Sequence, residues 1–87
     1  MLIVEVYKLG DQKRGYCAPT LEKLSEDMKR NLPEALVAST VAAVQAQVDS
    51  GRKYANVVLF LDEKNEEMRI KEYMEAHLRG SAPKPLP

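Results

Sequence analysis

The chain has 87 residues, with 13 Lys and Arg against 13 Asp and Glu, and is 45% hydrophobic and 30% charged; these numbers describe one small neutral globular domain with room for a single core. One cysteine excludes an internal disulfide framework and fits a reducing cytoplasm. Zero net charge argues against a polyanion as the default partner, and no apolar run approaches the roughly 18 residues of a membrane helix, since Glu5 cuts off Met1-Leu2-Ile3-Val4.

Leu2 to Leu9 reads as a strand, rich in β-branched residues, with Leu2, Val4 and Val6 on one apolar face and Ile3, Glu5, Tyr7 and Leu9 on the other. Gly10 to Gly15 is a polar, glycine-bracketed turn. Tyr16-Cys17-Ala18 returns as a short second strand that Pro19 stops. Thr20 is placed to cap a helix running to about Asn31, because its hydroxyl can accept from the free amides of the first turn. Leu21, Leu24, Met28 and Leu32 form that helix's single apolar stripe.

Pro33 fits the first position of a second helix, which runs from Glu34 to about Ser50 and ends at Gly51. Val37, Val41, Val44 and Val48 make its stripe, and five interspersed alanines keep it slim. Tyr54 to Leu61 is the strongest strand in the chain. Val57, Leu59 and Leu61 alternate with Val58 and Phe60, so both faces are apolar, and a central place covered on both sides is expected. Asp62 then caps a third helix from about Glu63 to Arg79, whose inward stripe is expected to use Ile70, Met74 and His77/Leu78 with Tyr73 alongside. The domain spans residues 1–80, and residues 81–87 are a Pro-rich, disordered tail.

This order of elements, strand, short hairpin return, helix, helix, strand, helix, predicts a small α/β domain in which the two long strands are parallel and joined by a right-handed helical crossover. So few strands cover a small area. An open edge invites a second copy, so a homodimer is expected.

Several motifs carry candidate chemistry. Val57 to Glu63 resembles the strand-plus-Asp-Glu element of P-loop NTPases. The partner motif is absent, because Tyr16-Cys17 follows Gly10 and Gly15 where Lys and a hydroxyl residue are required, and nucleotide hydrolysis is rejected. With parallel strands, Asp11, Asp62 and Glu63 lie at their carboxyl ends and form an alternative Mg²⁺ or phosphate-linked site, with Lys13 or Arg14 neutralising an anion. Cys17 and His77 are the only residues of their kinds; no third orienting group accompanies them, so a Cys–His dyad is not favoured. Lys8/Lys13/Arg14, Lys29/Arg30 and Arg52/Lys53, with Tyr16 or Tyr54 to stack a base, give an alternative nucleic-acid face, but acids are interleaved with them. Pro83 to Pro87 misses the P-x-x-P register.

The sequence therefore points to a non-enzymatic protein-interaction module of the cytoplasm, a regulator, inhibitor or assembly adaptor without cofactor, membrane or nucleic-acid partner. It self-associates through a sheet edge or an apolar helix face. Its candidate interaction residues are Tyr7, Arg14, Tyr16 and Tyr54. No catalytic residue is assigned.

Overall fold

The structure, a computed structural model of the chain, describes the backbone of residues 1–81 and the side chains of residues 1–79. The expected Pro-rich tail lies outside the described residues from position 82 onward. Two strands, β1 (Leu2–Lys8) and β2 (Arg14–Ala18), lead into two helices, α1 (Leu21–Lys29) and α2 (Glu34–Asp49), followed by β3 (Ala55–Leu61) and α3 (Ile70–Ser81). The strands form one mixed sheet in the order β2-β1-β3. β2 returns antiparallel along β1, and β3 runs parallel to β1 from Leu2 opposite Ala55 to Lys8 opposite Leu61. This is the small α/β architecture that the element order predicts.

Strand alternation sorts the sheet into two unequal faces. On the inner face Leu2, Val4, Val6, Tyr16, Ala18, Ala55, Leu59 and Leu61 meet Leu24, Met28 and Leu32 from the α1 region and Leu36, Val37 and Val44 from α2. Both predicted helical stripes point into this core, with Leu21, Val41 and Val48 packed at its margin. Thr20 caps α1 as expected, its hydroxyl accepting from the Lys23 amide at 3.2 Å. Pro33 stands one position earlier than expected, as the residue preceding the first turn of α2; its carbonyl accepts from the Val37 amide at 3.0 Å. Thr40, a polar residue buried in the core, donates to the Leu36 carbonyl at 2.7 Å, so it brings no unsatisfied hydroxyl inside. Gly51 ends α2 with φ of +90°, the left-handed conformation that glycine adopts without a Cβ penalty.

Two expectations are corrected. β3 lies at an edge, and the central strand is β1. The apolar residues on the two faces of β3 are hidden unequally: Leu59 and Leu61 enter the core, Phe60 is half-buried, and Val58 is exposed. The third helix begins at Ile70, seven residues later than expected. Asp62 does not cap it. Its Oδ1 instead accepts from the amides of Lys64 at 2.8 Å and Glu66 at 3.0 Å, closing a tight turn in which Asn65 takes a left-handed φ of 65°. The chain then doubles back along β3, with the Met68 amide donating to the Phe60 carbonyl at 2.7 Å.

Candidate interaction surface

The outer face of the sheet is ordered in rows set by strand register. Cys17, Ile3 and Asn56 form one row, Gly15, Glu5 and Val58 the next, and Tyr7 and Phe60 the last. Only this last row carries an aromatic lid. Tyr7 and Phe60 stack with centroids 5.3 Å apart, and Tyr73 of α3 packs on Phe60 at 5.1 Å and edge-on to Tyr7 at 6.3 Å. His77, one turn on, stacks parallel to Tyr73 at 5.7 Å. At the other flank Lys13 Nζ lies 5.4 Å from the Tyr7 ring centre and 3.2 Å from the Glu5 carboxylate. The Glu5 side chain, and after it Tyr7, hold the Lys13 ammonium above its ordinary pKa of 10.5.

α3 therefore meets the sheet through Tyr73, on which His77 of the same helix stacks, and its aliphatic residues point elsewhere. Ile70, Met74 and Leu78 are 60%, 47% and 57% exposed. At 100° per residue these three positions occupy an arc of about 80° beside the sheet-facing arc. The stripe expected to point inward is thus the exposed one, and the buried residue is Tyr73. Aromatic stacking explains the choice. The Tyr7–Phe60 row offers flat rings, which an aromatic side chain covers more completely than an aliphatic one.

The two edges of the sheet also differ. The Leu61 carbonyl accepts from the Leu9 amide, so it faces β1, and by alternation the backbone groups of Asn56, Val58, Phe60 and Asp62 face outward. Asn56 is occupied by a side chain. The Gln47 carboxamide of α2 donates to the Asn56 carbonyl and accepts from the Asn56 amide, both at 2.9 Å, reproducing the pair of bonds that a neighbouring strand would make. Phe60 and Asp62 bond to Met68 and Glu66 of the returning segment. Only Val58 is left between these two plugs. Among the described residues no such cover lies along β2.

No family model, curated protein or solved structure matches the chain.

Of the four expected interaction residues, Tyr54 is 66% exposed and Arg14 begins β2, paired with Asp11 at 3.6 Å. Tyr7 is half-buried in the aromatic row. Tyr16 is corrected. It is only 7% exposed, its ring lies in the core opposite Val4, and its hydroxyl has no hydrogen-bond partner.

The three candidate acids are only partly brought together. Asp11 and Glu63 line one open cleft of about 460 Å³ with Leu9, Gly10, Gln12 and His77, at the carboxyl end of β1. Asp62 is engaged in its turn, and Asp11 also accepts from the Gln12 amide at 2.8 Å. Among the described residues no three His, Cys, Asp or Glu side chains stand close enough to hold a metal ion. Arg52, Lys53, Tyr54 and Asn56 line a second open cleft of about 390 Å³ that contains no carboxylate. Among the described residues no helix is long and apolar enough to cross a membrane.

Proposed function

We propose that the chain is a non-enzymatic protein-interaction module that docks α3 into an apolar groove of a partner protein. The observation that carries this reading is the Ile70, Met74 and Leu78 stripe, apolar and exposed on a helix that Tyr73, on the neighbouring arc, sets against the sheet. Its i, i+4, i+8 spacing keeps the three side chains on one side of the helix, and an apolar helix face of this kind is what a hydrophobic groove receives in helix-in-groove recognition. The helix is held in place before binding, so less conformational entropy is lost on docking than for a free peptide. The surrounding Lys71, Glu72, Glu75 and Arg79 balance in sign, so the partner's groove needs an apolar floor and a rim of mixed charge.

The test is affinity capture from native extract with the full chain and with an Ile70→Ser/Met74→Glu variant, followed by quantitative mass spectrometry. The variant is expected to keep the near-ultraviolet signature of the Tyr7, Phe60 and Tyr73 cluster while losing at least tenfold of one captured protein. An identical set of captured proteins from both chains would sink the proposal.

A further inference from the structure

We infer that the outer edge of β2 is the seat of a second copy of this chain, paired antiparallel about a two-fold axis through Tyr16. The argument begins from the contrast between the edges. On β3 the fold places the Gln47 carboxamide on Asn56 and the returning segment on Phe60 and Asp62, leaving Val58 as the one outward-facing residue of the strand without such cover. An edge closed in this way rejects an added strand. β2 lacks every device of that kind among the described residues: it contains no proline and no lysine, no side chain bonds along it, and its only charge is Arg14 at one end.

The occupant follows from symmetry and closure. A foreign strand would satisfy the backbone of one β2 edge, whereas an identical β2 satisfies two such edges at once, as in an isologous interface. Growth then stops, because each copy's remaining edge is the plugged β3, and the product is a six-stranded sheet instead of a fibre.

Centring the axis on Tyr16 pairs the largest number of residues. It sets Gly15 opposite the partner's Cys17, and Arg14 opposite the partner's Ala18. The two arginines then lie at opposite ends of the contact, roughly 13 Å apart along the strand direction, so like charges do not meet. Gly15 and Cys17, exposed on the outer face, are small. A Cβ built on Gly15 meets nothing within 4 Å, so the outer face is open at this position.

Cys17 is the only cysteine and is exposed, which makes it a built-in reporter. With the axis at Tyr16, the two Cys17 side chains flank it on the same face, roughly 8 Å apart from backbone to backbone. Sedimentation velocity from 1 to 100 µM and cross-linking with a short bismaleimide, applied to the full chain, decide the matter. The expected results are a dimer at the upper concentrations and a covalent dimer joined through Cys17. Gly15→Lys retains the cysteine and sets two like charges on the same face either side of the axis, roughly 8 Å apart from backbone to backbone, without a clash inside the chain; it should shift the sedimentation midpoint at least tenfold and remove the cross-link, with the circular dichroism spectrum unchanged. Ile70→Ser/Met74→Glu should leave both readouts intact, which separates this interface from the α3 surface. A monomer throughout the range, or a dimer and cross-link that survive Gly15→Lys, would overturn the inference.

Discussion

Tyr16 shows how a single side chain divides between two demands. Its ring is wanted in the core, where it packs on the inner face opposite Val4, while its hydroxyl arrives there without a hydrogen-bond partner. A buried hydroxyl that gives up water and gains no bond is destabilising by about 1–3 kcal/mol. Tyr16→Phe, which keeps the ring and removes the oxygen, is therefore expected to raise the stability of the chain by about 1 kcal/mol in urea unfolding; a loss of stability would show that the hydroxyl is bonded. Lys13 presents the opposite case. Its side chain is about half exposed, 49%, yet Glu5 and Tyr7 draw its ammonium to the end of the aromatic row. Deprotonation at high pH removes that attraction, so whatever the pair contributes is present at neutral pH and fades only above the ordinary lysine range.

Among the elements, β3 depends on a contact that no local pattern announces. Gln47 lies on α2, nine residues before Asn56, and is bonded to that residue's backbone through both ends of its carboxamide. Gln47→Ala is expected to cost about 1–2 kcal/mol through the two lost bonds. It also frees the Asn56 edge beside Val58, so light scattering on heating should rise at a lower temperature than for the parent chain; unchanged scattering would show that the plug does not guard the edge. The regular elements themselves were legible, since β-branched alternation marks β1 and β3, a Thr cap and an apolar stripe mark α1, and a Val stripe between Pro33 and Gly51 marks α2. The edge position of β3 was not legible. A strand with two apolar faces looks the same whether a neighbouring strand or an aromatic lid lies nearby, and here Tyr73 shelters Phe60 while Val58 is left bare. The start of α3 was misplaced for a similar reason, because an Asp that closes a turn and an Asp that caps a helix use the same oxygen on the same backbone amides. Of the expected interaction residues, Tyr54 is openly exposed and Tyr16 is not, a difference set by strand phase: Tyr16 shares its face with Ala18, which enters the core.

Taken as a whole, the molecule has one well-filled side and one thinly covered side. α1 and α2 bury Leu24, Met28, Val37 and Val44 against the inner face of the sheet, whereas the outer face has α3 across one row of three. A domain of this size has a total stability of about 4–13 kcal/mol, so the inner core must carry nearly all of it. Leu24 is fully buried at its centre. Leu24→Ala, costing about 2–5 kcal/mol by transfer and cavity terms, is expected to leave a large unfolded fraction at 37 °C by circular dichroism; a fully folded variant would mean that stability is spread well beyond this core.

The central position of β1 also bears on how the chain is born. Leu2 pairs with Ala55, so the innermost strand waits 53 positions (55 − 2) for its parallel neighbour to be synthesised. At ribosomal speeds of about 5–20 residues per second, that wait is about 3–10 s. During it the β1–β2 hairpin can close, but the side of β1 that β3 will occupy stays open, and α1 and α2 emerge before the sheet beneath them is complete. The nascent chain therefore passes through seconds in which the strand that will lie at the centre of the sheet is only half-paired.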